Sequence, residues 1–263
     1  MKRLNFFLDI DDTLMPSGKT ELSAQTLDAI LKARALGCRF FINTGRPYSD
    51  IPLNVFTEEY FDGICSGGDY AVFHGRPIYA HFMPKCDVRE LLKALMGMKK
   101  KINFNIGGLS HRYYIGDFLP YFNKDIYVPL IGYDDFDKRF PEEYLQKYVI
   151  SEPLSPDSDL LPEIKKYFSV IFHPSYTEGF LHGHSKSFLI KKVEEELSLP
   201  HECTVAIGDS LNDTDMLEYA SISVAMGNAP KEVKELCTFV TDTSENDGVA
   251  KAILKLISEE SNR

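Results

Sequence analysis

Apolar stretches and amphipathic helical patterns alternate at both ends of the chain. The segment RLNFFLDID at 3–11 predicts a buried strand that ends at acidic residues. Ser23 is a suitable N-cap for a helix over 24–35, and Gly37 follows as a stop signal. A second apolar strand, CRFFINT, begins directly afterwards. A strand, helix, strand unit of this kind predicts two parallel strands in a sheet that is covered on both faces.

The C-terminal part of the chain repeats this alternation. Predicted strands are TVAIGD, ISVAMG and FVTD, and predicted helices cover 186–197, 213–219, 230–236 and 247–258. Both ends of the chain therefore predict one doubly wound parallel α/β sheet of the Rossmann-like type.

The middle of the chain has a different pattern. Aromatic, partly alternating segments dominate it, namely NFNIGG, HRYYIG, NKDIYVP and FSVIFHP, with helices predicted near 87–99, 141–148 and 158–167. This pattern predicts an α+β domain with an antiparallel sheet, inserted into the first domain. We expect a core domain at 1–81 and 183–263 and an inserted domain at 82–182.

The charge balance of the chain argues against some kinds of binding partner. The 263 residues include 29 Lys and Arg against 39 Asp and Glu, a net charge of −10. A nucleic-acid-binding protein needs a basic surface, which this composition does not favour. No apolar run approaches the ~18 residues that span a membrane, and acidic residues interrupt any N-terminal signal sequence. We expect a cytoplasmic protein with no nucleic-acid or membrane partner, and the sequence leaves its oligomeric state open.

Polar residues cluster where predicted strands end. Asp9 and Asp11 stand two apart at the end of the first strand, where alternation points both toward one side. Ligands of open α/β sheets bind at that edge. Five further residues stand after other predicted strands or at a helix start: Thr44, Lys186, Asp209, Asn212 and Asp213. Each alone could be a helix cap or a first-turn residue, but together they indicate one site.

These residues lie in motifs that resemble those of haloacid dehalogenase (HAD) superfamily phosphatases of the Cof type. The motifs are LDIDDTL, INTGRP, the pair SK, GDSLND and VAMGNAPKEVKELCTFVTDTSENDGVAKAI. The resemblance covers essentially the whole chain. It implies a HAD core with an inserted α+β cap and the activity of a phosphoric monoester hydrolase.

The resemblance also implies roles for the acidic residues. Asp9 would be the nucleophile that forms an aspartyl-phosphate, and Asp11 the general acid and then the general base. Carboxylates that face a phosphate dianion need a cation, and Mg²⁺ suits such oxygen ligands. Its implied ligands are the carboxylates of Asp9 and Asp209 and the backbone carbonyl of Asp11, with Asp213 beside them.

Other residues would contact the substrate, which we expect to be a sugar phosphate or a phosphorylated cofactor. Thr44, Lys186 and Asn212 would bind the phosphoryl oxygens. Arg46 would reach the substrate or the cap, or else form a structural ion pair. Polar candidates in the cap are His111, Arg112 and Lys124.

The sequence departs from the family pattern at three positions. The family commonly has Gly where this chain has Asp12 and Ser187, and Asn where it has Gly67. Because Asp tolerates unusual backbone angles, we expect the turn at Asp12 to be kept.

The sequence leaves three alternatives to a phosphatase open. A phosphosugar mutase would share the nucleophile and the metal but return the phosphoryl group to another hydroxyl. A phospho-receiver-like module also combines acids, Thr and Lys after parallel strands. A sugar-phosphate-binding protein would keep the fold without turnover.

Overall fold

The computed structural model describes residues 2–97, 103–117, 125–130, 138, 145–150, 153–173 and 175–262. Two compact units make up the chain. The first consists of Met1–Gly45, Pro52–Tyr79 and Ser185–Arg263, and the second of Arg46–Ile51 and Ala80–His184. Residues 46–51 thus group with the second unit, although they lie inside the range predicted for the core.

An eight-stranded sheet forms the centre of the first unit. Numbered along the whole chain, its strands are β1 (Asn5–Leu8), β2 (Arg39–Thr44), β3 (Gly63–Ser66), β4 (Tyr70–Phe73), β5 (Arg76–Ala80), β12 (Thr204–Gly208), β13 (Ile222–Ala225) and β14 (Phe239–Val240). Their order is β14-β13-β12-β1-β2-β3-β4-β5. Pairing is parallel from β14 to β3, and β4 then runs antiparallel to β3. The predicted doubly wound parallel sheet is confirmed.

Five α-helices accompany this sheet: Ala24–Ala35, Lys186–Leu197, Thr214–Tyr219, Lys231–Leu236 and Gly248–Ser261. Serine side chains begin the two 12-residue helices, because Ser23 accepts the N–H of Thr26 and Ser185 accepts the N–H of Phe188. The stacked rings of Phe7 and Phe41, 4.8 Å apart, lie in the apolar core. Burial of this core stabilises the sheet edge at which the polar residues lie.

The second unit contains a six-stranded sheet. Its strands are β6 (Phe104–Gly108), β7 (Arg112–Ile115), β8 (Tyr127–Pro129), β9 (Leu145–Ile150), β10 (Phe168–Phe172) and β11 (Thr177–Leu181), in the order β10-β11-β9-β6-β7-β8. The pairs are antiparallel except for β7 with β8. Described helices are Lys85–Met96 and Leu161–Ile164. Across the described part of the chain, no helix of either unit is long and apolar enough to cross a membrane.

Two helices predicted in the middle of the chain differ from the structure. The helix expected at 141–148 is wrong for 145–148, which belong to β9, and 141–144 lie outside the described residues. The helix expected at 158–167 is reduced to Leu161–Ile164. Gln146 and Lys147 favour a helix locally, but β9 pairs with both β6 and β11 at the centre of the sheet. Such tertiary pairing outweighs weak local propensity.

Candidate active site

Two buried carboxylates follow neighbouring parallel strands of the first unit. Asp9 comes directly after β1, and its N–H donates to the carbonyl of Ile207 in β12 at 3.1 Å. Asp209 comes directly after β12. Both residues are buried, with 5% of Asp9 and 9% of Asp209 exposed. Because β1 and β12 are paired in parallel, the two carboxylates lie at the same edge of the sheet, as predicted.

A buried lysine contacts Asp9 and a third acid, Asp213. Lys186 is the first residue of its helix and is 2% exposed. Its Nζ donates to Asp9 Oδ1 at 2.6 Å and forms a second short ion pair with Asp213. Burial alone would lower the pKa of Lys186, but the two carboxylates outweigh it and raise that pKa. The ammonium group therefore keeps its charge inside the site.

Asp213 organises the loop between β12 and the next helix. Its Oδ2 accepts the backbone N–H groups of Asp209 and Ser210, each at 3.0 Å. Ser210 in turn forms a reciprocal capping box with it. Gly208 leaves the space for this arrangement, because a Cβ there would lie 2.6 Å from Asp213 Cγ. Both oxygens of Asp213 are thus engaged, one by Lys186 and the other by the loop.

The three acids form a cluster that could hold a metal ion. One oxygen from each of Asp9, Asp209 and Asp213 lies within 4.8 Å of the others. When all three carboxylates are ionised, the single charge of Lys186 leaves the cluster with two uncompensated negative charges. A divalent cation with oxygen ligands would balance them, so this donor set fits such an ion.

Burial raises the pKa values of two of these acids. It raises the pKa of Asp9 to about 8, an effect that Lys186 opposes and Asp213 reinforces. It also raises the pKa of Asp209 to about 7, where Asp213 again adds and a hydrogen bond from Thr13 opposes. A further positive charge beside these groups would favour the ionised form of both carboxylates.

Asp11 occupies a different setting from Asp9. Because β1 ends at Leu8, strand alternation does not reach the two acids, and Asp11 lies exposed in the following loop, where it forms a β-bridge with Met15. Its charge still acts on Asp9, whose pKa it raises. The next residue, Asp12, adopts φ +54° and accepts hydrogen bonds from Ser17. Asp12 therefore keeps the left-handed turn for which the family commonly uses glycine, as expected.

Of the remaining predicted residues, Thr44 and Asn212 lie in the first unit and Arg46 lies in the second. Thr44 ends β2, next to β1, and is 1% exposed. Asn212 lies in the 3₁₀ turn Leu211–Asp213, where its Oδ1 accepts the hydroxyl of Ser210 at 2.8 Å. Arg46, in contrast, belongs to the second unit and donates to the carbonyl of Asp50 at 3.2 Å.

The cap candidates also have structural partners within the second unit. Arg112 forms a short ion pair with Asp50 and a short hydrogen bond with Asn105. The carbonyl of His111 accepts the hydroxyl of Ser49 at 3.3 Å. Lys124 lies outside the described residues. Asp50 and Ser49 thus anchor the 46–51 segment to the second sheet.

The structure adds residues that the sequence did not single out. Thr13, 1% exposed, donates its hydroxyl to Asp209 Oδ1 at 2.8 Å. Asp215 accepts the N–H of Ser187 at 2.8 Å, at the start of the helix that carries Lys186. In the sequence Thr13 is only a polar residue between Asp12 and the apolar Leu14. Because the sequence does not show its contact with Asp209, it does not distinguish Thr13 from an ordinary turn residue.

Known proteins are similar to this chain in sequence. The sequence pattern of haloacid dehalogenase-like hydrolases matches residues 6–253. YkrA of Bacillus subtilis is 30% identical over 270 residues, which cover 95% of this chain and 96% of YkrA. The 5-amino-6-(5-phospho-D-ribitylamino)uracil phosphatase YitU of Bacillus subtilis is 28% identical over 274 residues, with 95% and 96% covered.

A solved structure extends the likeness to three dimensions. The HAD subclass IIB sugar phosphatase BT4131 superposes with a TM-score of 0.80 at 23% identity, covering 97% of this chain and 99% of that one. At this identity the likeness establishes the fold alone, and it agrees with a Rossmann-like core plus a second α+β unit. With the matched sequence pattern and the acidic cluster, the chain belongs to the haloacid dehalogenase-like hydrolases, as a phosphatase of the Cof type.

Proposed function

We propose that this enzyme is a Mg²⁺-dependent phosphatase that hydrolyses small phosphate monoesters through an aspartyl-phosphate on Asp9. The observation that carries the proposal is the position of Asp9, buried 2.6 Å from the ammonium group of Lys186 inside the acidic cluster. Hydrolysis of phosphate monoesters is extremely slow without a catalyst, so several groups must act on one phosphoryl group.

Asp9 and Asp11 divide the reaction into two displacements. A carboxylate oxygen of Asp9 bonds to phosphorus while the bond from phosphorus to the leaving oxygen breaks. Asp11 donates a proton to that leaving oxygen. A water then attacks phosphorus, Asp11 takes its proton, and the Asp9 carboxylate is released with free phosphate. The exposure of Asp11 suits this exchange of protons with substrate and water.

Lys186, Thr44 and Asn212 bind the phosphoryl oxygens in this proposal. The Lys186 ammonium is already fixed by two carboxylates, so it needs little reorganisation as negative charge develops. Thr44 and Asn212 supply hydrogen-bond donors from the end of β2 and from the loop after β12. Arg46, inside the second unit, is a contact for the substrate or for the cap.

The acidic cluster would hold the metal ion through the carboxylates of Asp9 and Asp209 and the backbone carbonyl of Asp11. Bound Mg²⁺ supplies positive charge that offsets the carboxylates and the phosphoryl oxygens. Asp213 would lie beside the ion without binding it directly, because its oxygens already accept from Lys186 and the loop amides. Its part is to hold Lys186 and the loop in place.

The relatives support a substrate class. YitU is named for a phosphorylated ribitylamino-uracil, and BT4131 for sugar phosphates. Both are small phosphate monoesters, so we assign this enzyme to sugar phosphates or phosphorylated cofactors and their precursors. A core at 1–81 and 183–263, of which residues 46–51 group with the second unit, a cap at 82–182 and a cytoplasmic location complete the proposal.

Phosphate release from a substrate panel tests this function. The panel contains sugar phosphates, nucleotides, flavin mononucleotide and pyridoxal phosphate, each with Mg²⁺ and with a chelator, and Asp9→Asn serves as the blank. We expect Mg²⁺-dependent release that the chelator and the blank both abolish. Release that survives in Asp9→Asn would remove the nucleophile assignment, and an isomerised sugar phosphate without free phosphate would identify a mutase instead.

A further inference from the structure

Asn43 is a polar residue inside an apolar strand. It stands in β2 directly after Phe41 and Ile42 and directly before Thr44, and it is fully buried. Its Nδ2 donates to the backbone carbonyl of Lys186 at 3.2 Å. Its Oδ1 is buried and accepts no hydrogen bond. An amide in such a place is unfavourable unless its polar atoms are paired, so half of this amide is unsatisfied.

The orientation of the amide follows from its neighbours. If the amide were turned over, Oδ1 would face the carbonyl oxygen of Lys186, and two acceptors would meet without a proton between them. Nδ2 also lies 3.4 Å from Met216 Sδ, a weak acceptor. The Nδ2 group therefore faces the carbonyl of Lys186, and this orientation leaves Oδ1 without a donor.

The helix start at Lys186 is held on its other side by different contacts. Asp215 accepts the N–H of Ser187, and Ser185 accepts the N–H of Phe188. The first contact comes from the helix Thr214–Tyr219 and the second from the N-cap residue of the helix that carries Lys186, and both hold backbone N–H groups. The Asn43 bond adds a contact from the sheet, and it acts on the carbonyl of the lysine itself.

We propose that Asn43 is a positioning residue, which ties the strand that ends in Thr44 to the helix start that carries Lys186. This hydrogen bond sets the distance between Thr44 and Lys186, which both bind phosphoryl oxygens in the proposed function. It also keeps the lysine ammonium between the two carboxylates that it contacts. This inference rests on the proposed function. The physical basis is that a charged group stabilises the transition state much less when it is displaced even slightly.

The test compares two variants that both lack the donor. Asn43→Leu fills the site with an apolar side chain of similar size, and Asn43→Ala leaves a hole. Hydrolysis of p-nitrophenyl phosphate with saturating Mg²⁺ gives kcat and KM, and thermal unfolding gives Tm. We expect kcat to fall about tenfold or more in both variants, with a smaller change in KM and with the Tm of Asn43→Leu no lower than that of the parent.

Phe41→Leu is the matched control, since Phe41 lies two residues earlier on the same face of β2. It should lower Tm and leave kcat within about twofold, because it removes packing only. A parent-like kcat in either soluble Asn43 variant would overturn the inference. So would a loss of kcat in Phe41→Leu as large as in Asn43→Leu, because loosened packing would then explain both.

A double-mutant cycle tests whether Asn43 acts through Lys186. Once Lys186→Arg has displaced the charge, adding Asn43→Leu should lower kcat by less than about twofold. Independent, multiplicative losses would contradict the inference. A parent enzyme that releases no phosphate from any substrate would instead contradict the proposed function, so the two failures are distinguishable.

Discussion

Single side chains of the site are packed so closely that one added methyl group should disturb them, and Gly208 shows this directly. A Cβ at Gly208 would lie 2.6 Å from Asp213 Cγ and 2.7 Å from its Oδ2. Asp213 would have to move, and it holds both Lys186 and the amides of the following loop. The constraint here is space, since this glycine has no positive φ.

We therefore predict that Gly208→Ala lowers kcat by about tenfold or more, because Lys186 loses its fixed position. Steady-state hydrolysis of p-nitrophenyl phosphate measures the effect. Gly97→Ala, at the end of the helix Lys85–Met96 in the second unit, is the control and should keep kcat. A soluble Gly208→Ala enzyme with the parent kcat would show that Asp213 does not position the lysine.

The sequence predicts some of these residues and misses others for a physical reason. Asp9 and Asp209 follow predicted strands that pair in parallel, so sheet geometry already brings them to one edge, and Lys186 begins a predicted helix. Thr13 and Asn43 carry no such signal. Their partners lie 196 and 143 positions away in the chain, and only the folded structure pairs them.

A buried ion pair between two strands of the second unit makes stability depend on pH. Lys147 of β9 forms a short ion pair with Glu178 of β11, and His173 lies 3.1 Å from the same carboxylate. Burial alone would raise the pKa of Glu178, but Lys147 and His173 outweigh it and hold that pKa at about 2. In the unfolded chain the carboxyl group returns to about 4.3.

A lowered pKa in the folded state contributes stability above the unfolded pKa and loses it as pH falls toward the folded one. The free energy of unfolding should therefore decline between about pH 4.5 and pH 2, by an amount on the order of 3 kcal/mol for this group. Urea unfolding at several pH values measures it. Glu178→Gln should be less stable at pH 6 and show a shallower decline than the parent, whereas the exposed Glu90→Gln should follow the parent. Equal slopes in the parent and in Glu178→Gln would contradict the assignment.

Elements near the ends of the chain were predictable because local signals agree with the tertiary structure. The helices predicted at 24–35 and 186–197 have the same bounds in the structure, since serine caps and apolar spacing mark them. β9 was missed because its partners β6 and β11 lie elsewhere in the sequence, while its own residues include helix-forming Gln146 and Lys147. Local propensity and tertiary pairing conflict there, and pairing decides.

At the scale of the whole molecule, metal binding should be coupled to folding. The folded chain brings three carboxylates within 4.8 Å of one another, and an unfolded chain would not hold them together. A ligand that binds only the folded state stabilises it by about 2.7 kcal/mol at a concentration of 100 times Kd.

We therefore predict that Mg²⁺ raises Tm relative to chelator, by several degrees for a protein of this size at roughly 2 to 4 °C per kcal/mol. Thermal unfolding with and without Mg²⁺ measures the shift. Asp209→Asn should lose most of it, and Asp28→Asn, a change at an exposed residue, should keep it. The same shift in Asp209→Asn as in the parent would place the ion elsewhere.

A change of pattern in the middle of the sequence predicts an inserted domain, but it gives no sign that residues 46–51 group with the second unit. The 46–51 segment directly follows Thr44 and Gly45, and sequence order alone assigns it to the core. In the structure Asp50 pairs with Arg112, and Pro47 packs against Gly107. These contacts connect residues about sixty positions apart, which no local pattern reveals.

Trapping the covalent phosphoenzyme on Asp9 is the sharpest test of the proposed mechanism. Asp11→Asn is mixed with p-nitrophenyl phosphate and Mg²⁺, quenched in acid and digested, and the peptide that contains Asp9 is examined by mass spectrometry. This leaving group needs no proton, so the first displacement proceeds, while the second is slow without the general base. We predict one phosphoryl group on Asp9 and none in Asp9→Asn. Release of phosphate with no phosphorylated peptide, or with the phosphoryl group on another residue, would contradict Asp9 as the nucleophile.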